Sequence, residues 1–304
     1  MINRLLLSAA CLWLVFVSPL AAQITVTNIS VADAFVSSLN PANNYGGAGA
    51  LSVSGPIATN AVGQQAGLLD TFMRFDTSGA FSNFNSSFGP GQWMIVRATL
   101  NLFEQGAPNN TNFNRGVGPF QVQWIVTNSW AEGTGNPNDP TTDGVVWNDE
   151  PSMLTNLDES LGTFVNGGTD GLVRVSLGTP SGFMSDISTG GLASFYMTAT
   201  TNSTVGFTFH SHDFVDSTQW PFLEIMAVPT PRITALTFMN SNVMVGFTTV
   251  NGLTSTVEYT SNLVSASWNV LTNITGAGGT TNVMDSGAAV LPKRFYRVQL
   301  TVPP

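Results

Sequence analysis

Residues 205–225 read VGFTFHSHDFVDSTQWPFLEI and hold the only two histidines of the chain, His210 and His212, with Asp213 directly behind them. Two imidazoles at positions i and i+2 of a strand share a face and can chelate a metal. A zinc site needs a third ligand and usually a fourth, and Asp213 would point to the opposite face of a continuing strand. The plain alternative is a solvated strand face, with Phe207 and Phe209 inward and Thr208, His210 and His212 outward. A third reading brings in WPFLEI, where Leu223 and Ile225 face inward and Trp220, Phe222 and Glu224 outward. If the two strands pair as a hairpin, His210, His212, Trp220 and Phe222 make one aromatic patch. Such a patch is either a platform for sugar rings or a surface covered by the next module.

A second set of residues could hold calcium, which takes six to eight oxygen ligands. The turn GNPNDPTTDG supplies Asp139 and Asp143, and Asp149 and Glu150 follow just after. The spacing does not match an EF-hand, so a solvated acidic turn stands beside the calcium reading. Signs of catalysis are poor. The chain has no G-x-S-x-G and no H-E-x-x-H. Glycosidases need two carboxylates about 5–10 Å apart across a cleft. Asp149–Glu150 and Asp158–Glu159 are sequence neighbours and read as turn residues.

The elements that must position these groups are strands. Charged residues make up 9% of the chain, and Lys293 is its sole lysine. Helical surfaces rich in Glu and Lys are therefore ruled out, and the Thr, Ser, Asn and Gly in their place suit strands and turns. Apolar and polar residues alternate in RATLNLFE, FQVQWIV and DTFMRFD, and the intervening turns are rich in Gly and Asn. PSGFMSDI is expected to form one short helix. No fixed-period repeat is present, which argues against a propeller or β-helix.

The first 22 residues read as a signal peptide: Arg4, then the apolar run LLLSAACLWLVFV, then SPLAAQ with cleavage after Ala22. Ser8 stands where a lipoprotein signal needs Leu. Cys11, the only cysteine, lies in this segment, so a mature chain has no disulfide. No later stretch could span a membrane. The net charge of −9 argues against nucleic acid and against unaided binding of anionic polysaccharide. Two prolines in VPTPR mark a connector, residues 229–231, between modules at 23–228 and 232–304. The second module shows six strand-like runs, and Asn251-Gly252 signals a hairpin between two of them.

The order of eight runs resembles the DNRLRE domain family of secreted bacterial β-sandwich modules. They are ADAFV, NNYG, FMRFD, RATLNLF, SWAEG, VVWNDEP, FHSHD and WPFLEI, spread over residues 32–225. The resemblance implies a jelly-roll-like sandwich outside the cell and, for some members, polysaccharide binding such as to alginate. It implies that Trp130 and Trp147 close one end of the core, while Glu132 caps a turn through backbone N–H groups. The chain departs from the family in QQAGLLDT, which lacks basic residues, in the long loop between Trp130 and Trp147, and at His212, a position often basic in relatives. These departures point away from an anionic ligand. The tail resembles small fibronectin-type-III-like or immunoglobulin-like modules through TVEYTSNL, SWNVL and KRFYRVQL. The expectation is an exported, non-catalytic polysaccharide-binding protein that contacts an extracellular polysaccharide or cell-surface component. A structural or cell-surface matrix protein and a polysaccharide-cleaving enzyme are the alternatives.

Overall fold

A computed structural model describes residues 23–60, 63–105, 118–166, 170–200, 205–264 and 267–301. The expected signal peptide, residues 1–22, lies outside them. The chain is all-β, as its alternation predicts. The larger module contains β1 (Ile24–Ser37), β2 (Ala50–Ser54), β3 (Leu69–Asp76), β4 (Trp93–Glu104), β5 (Gly118–Ile125), β6 (Glu159–Asn166), β7 (Gly171–Leu177), β8 (Leu192–Ala199), β9 (Gly206–His210) and β10 (Phe222–Pro229). Three helices interrupt them: α1 (Ser78–Phe88), α2 (Glu150–Met153) and α3 (Ser181–Thr189), the last at the expected PSGFMSDI.

The ten strands form one antiparallel sheet that closes on itself. β1 pairs with β10, β10 with β4, β4 with β9, β9 with β2, β2 with β3, and β3 with β1 again, a ring of six strands. β7 extends the ring from β4, and β8, β5 and β6 extend it from β3. β1 serves both sides of the closure. Its residues 24–29 pair with β10 and its residues 30–37 with β3, with a bulge at Val31 that turns the strand between the two. The main core draws Met73, Leu100, Phe120, Phe195, Phe207, Phe209, Leu223 and Ile225 from six strands of this sheet into one cluster.

A second cluster lies apart from the main core. Ala32, Ala34, Val36, Phe72 and Tyr196 from β1, β3 and β8 pack against Trp130, Val145 and Met153. The segment between β5 and β6 therefore covers another face of the β1–β3–β8 region. This corrects the expectation that Trp130 and Trp147 close an end of the main core. Trp130 anchors the covering segment, and Trp147 packs half-buried against the same cluster.

The smaller module has β11 (Ile233–Met239), β12 (Asn242–Thr249), β13 (Thr254–Thr260), β14 (Asn269–Thr275), β15 (Gly279–Asp285) and β16 (Phe295–Thr301), matching the six runs read from the sequence. They form two three-stranded sheets, ordered β11–β12–β15 and β14–β13–β16, around Val243, Val245, Phe247 and Val257. Asn251-Gly252 makes a turn, with Gly252 at φ +76°. It is not a hairpin, however, because β12 and β13 belong to different sheets. The turn carries the chain across the core.

Among the described residues the modules share an apolar contact, in which Val96 and Val228 meet Val250, flanked by Met94, Met226, Leu253 and Leu300. The Thr230 N–H donates to the Gln92 carbonyl at 2.9 Å, so the connector continues the pairing of β10. The tail thus docks at the Val228 end of β10, away from Trp220 and Phe222 at its other end. Placing a charge in this contact strands it unpaired. Val250→Asp is expected to split thermal unfolding into two transitions, the tail melting first; a single unshifted transition in calorimetry would contradict this contact.

Candidate functional site

The end of the larger module is knitted together by one buried side chain, Asn44, which is fully excluded from solvent. Its Nδ2 donates to the carbonyls of Glu132 and Val145 at 2.6 and 2.9 Å, and its Oδ1 accepts the N–H groups of Gly46 and Gly135 at 3.0 and 3.1 Å. Four glycines make the approach possible. A Cβ on Gly133 would overlap the Asn44 carboxamide, and one on Gly46 or Gly144 would overlap the Glu132 carbonyl. A Cβ on Gly135 would overlap the Asn44 carbonyl. Arg74 holds the same segment from the other side: its Nη1 donates to the carbonyls of Asn128 and Trp130 at 3.0 and 2.7 Å, and its guanidinium lies 4.7 Å from the Trp130 ring.

This clamp presents Glu132 to Asp33 of β1 and to His212, just beyond β9. Glu132 Oε1 accepts the Asp33 N–H at 2.8 Å and lies 3.1 Å from His212 Nδ1. The Asp33 carboxylate accepts the His212 N–H at 3.0 and 3.3 Å. The Asp33 side chain is fully buried, and burial, followed by the charge of Glu132, raises its pKa well above the usual carboxylate range. Burial raises Glu132 as well. Trp220 approaches His212 edge-on at 5.3 Å and fixes its indole by donating Nε1–H to the Phe214 carbonyl at 2.8 Å. Asp33, Asn44, Arg74, Glu132, His212 and Trp220 come from six of the eight runs quoted above, so those short runs meet in space.

Beside this cluster opens a cleft of about 710 Å³. His210 and Phe214 stack within its wall, their ring centroids 3.5 Å apart and 13° from parallel. Phe103, Glu104, Asp170 and Gln219 complete the polar and aromatic lining. His210 is buried, not solvated as expected, because β9 pairs with β2 along its length and meets β4 at its end. Burial lowers its pKa, against the pull of Gln219 and the charges of Asp170 and Asp216.

The four residues expected to share a platform therefore separate. β9 and β10 do not pair with each other; β4 lies between them. His210 lines the cleft, His212 and Trp220 join the Asp33–Glu132 cluster, and Phe222 sits half-buried between Ile29 and Asn101. The inward placement of Phe207, Phe209, Leu223 and Ile225 is as predicted.

The calcium candidates also serve separate local bonds. Both oxygens of Asp143 are taken by Thr134 and Thr141, bonds that pull its pKa down to about 2. Asp139 closes a backbone turn with Asn136. Asp149 accepts the Val146 N–H at 3.0 Å, and Glu150 accepts the Tyr196 hydroxyl at 2.8 Å. Asp158 is the turn residue expected, accepting the Thr155 N–H at 2.7 Å. Glu159 instead reaches the start of α3 and accepts the Gly182 N–H at 2.6 Å. Among the described residues, one group of three carboxylate or imidazole side chains converges, and it is Asp33, Glu132 and His212.

Sequence reading missed Asp33, Asn44, Phe214, Gln219 and the cleft acids. Asp33 did carry a signal: a lone acid inside ADAFV, where every residue is buried and no face is free for solvent. The chain matches no family model and no curated protein.

Asn44→Ala would leave two buried carbonyls and two buried N–H groups without partners. The expected loss is about 3–5 kcal/mol in urea unfolding, and a loss under about 1 kcal/mol would contradict the role of the knot. Asp70 gives a pH test. Burial, reinforced by Glu150 and opposed by hydrogen bonds from Thr198 and Tyr196, pushes its carboxyl up to about 7. In the unfolded chain Asp ionises near pH 3.9, so this group stabilises at low pH and loses its contribution as pH rises to about 7. Asp70→Asn should lessen the fall in urea midpoint between about pH 5 and pH 8; an unchanged fall would show that Asp70 does not set it.

Proposed function

We propose that the protein is a secreted, non-catalytic polysaccharide-binding protein. In this reading the larger module is a jelly-roll-like sandwich of the DNRLRE type, and the tail is a fibronectin-like or immunoglobulin-like spacer. The observation that carries the reading is the open cleft at His210, where half-buried Phe103 and Phe214 stand among Glu104, Gln105, Asp170 and Gln219. Aromatic rings offer stacking surfaces to the C–H faces of sugars, and nearby amide and carboxylate groups fix hydroxyl orientation. The described lining contains no Lys or Arg, and the chain carries a net charge of −9. Neutral or amino-sugar polymers therefore suit it better than alginate-like polyanions.

Affinity electrophoresis of the full chain against glucan, xylan, mannan, chitosan and alginate tests this. Retention is expected in a neutral or amino-sugar gel and not in alginate, with Phe214→Ala weakening it about tenfold, the worth of one aromatic contact. Retention by no polymer, or retention unchanged in Phe214→Ala, would remove the cleft as the site. Release of new reducing ends would overturn the non-catalytic part of the reading.

A structural or matrix role has one observation in its favour. β11 pairs only with β12 among the described strands and leaves Leu236, Phe238 and Met239 from 50 to 72% exposed. Apolar edge strands of this kind promote self-association. A matrix protein would sediment as oligomers without sugar, whereas a polysaccharide binder of this design sediments as a monomer.

A further inference from the structure

We propose that Asp33, Glu132 and His212 bind one divalent transition-metal ion, with zinc the best match. Their ligand atoms all lie within 4.8 Å of one another. Zinc bonds of about 2.0–2.1 Å in a tetrahedron place neighbouring ligand atoms about 3.3 Å apart, so an ion enters this group through small side-chain adjustments. The 3.1 Å between His212 Nδ1 and Glu132 Oε1 is already close to that edge.

The donors are held as metal ligands must be. Asp33 N–H bonds Glu132, and His212 N–H bonds Asp33, so two of the three ligands are oriented by the backbone of another. Asn44 fixes the Glu132 carbonyl, and Arg74 fixes the carbonyls of Asn128 and Trp130. Trp220 shields one side of the His212 ring.

Charge balance is the independent argument. Asp33 is fully buried and Glu132 is partly so, and the nitrogen side chain set against them is the His212 imidazole, 3.1 Å from Glu132. Two carboxylates brought together away from water are costly unless a positive charge or a proton offsets them. A divalent ion with a neutral imidazole and two carboxylates makes the cluster neutral. One nitrogen and two carboxylate oxygens match zinc, manganese or cobalt; calcium wants more oxygen ligands than three side chains provide. The site is separate from the acidic turn at Asp139 and Asp143 and does not depend on the sugar-binding reading.

The test uses the full chain, stripped with a chelator and titrated with Zn²⁺ by calorimetry and by thermal melting. The expected result is one equivalent bound and a melting point raised by several degrees, with Ca²⁺ giving neither. His212→Arg is the decisive variant. It removes the nitrogen ligand but supplies a permanent cation to the two carboxylates, so it should fold at least as stably as the stripped wild type and ignore Zn²⁺. Glu132→Gln, with folding checked by circular dichroism, should also lose the response. No binding of Zn²⁺, Mn²⁺ or Co²⁺ to the wild type overturns the site, as does binding that survives His212→Arg.

Discussion

The end of the larger module that presents Glu132 to Asp33 and His212 hangs on the carboxamide of Asn44. An amide can donate two hydrogen bonds and accept two, and here it does both, with backbone partners at neighbouring Gly46 and at Glu132, Gly135 and Val145 far along the chain. The residues joined are up to 101 positions apart in sequence, so the side chain adds to the single backbone bridge between Asn44 and Thr141 that ties the long loop down. The condition is closeness, which explains why glycine stands at positions 46, 133, 135 and 144: any side chain there would push the loop off Asn44. Glu132 follows from this arrangement, since its carbonyl is bound to the knot while its carboxylate is left to face Asp33 and His212.

Much of the architecture was legible because strands advertise themselves by alternation. All six strands of the tail, the inward phenylalanines of β9 and the inward Leu223 and Ile225 follow from a period of two and the need to bury apolar surface. What alternation cannot convey is whether the opposite face meets water. Alternation makes β9 half-solvated, yet His210 and Thr208 are buried like Phe207 and Phe209. The cause lies in other parts of the chain. Pairing with β2 and stacking by Phe214 close the second face, and neither contact leaves a trace within GFTFH itself.

Two other features escaped for different physical reasons. α1 is built from SGAFSNFNSSF, which is poor in strong helix formers, and it is held by tertiary burial of Ala80 and Phe84. The cluster of Asp33, Glu132 and His212 joins positions 33, 132 and 212, and no local spacing rule links residues so far apart. The eight short runs did carry the information in a diluted form. Six of them each supply one member of a spatial cluster, so their order along the chain is visible while their meeting point is not.

The double allegiance of β1 has a consequence for how the chain acquires its shape. Thr25 and Val26 pair with Met226 and Ile225, two hundred residues later, while Phe35 and Val36 pair with Thr71 and Asp70 nearby. The nearby half can assemble early, but the ring closes only when β10 arrives. Closure therefore waits on the most non-local contact in the module, the kind that slows folding most. Until then β4 and the first half of β1 both present open edges, and the unfinished ring is the form of this protein most exposed to faulty association.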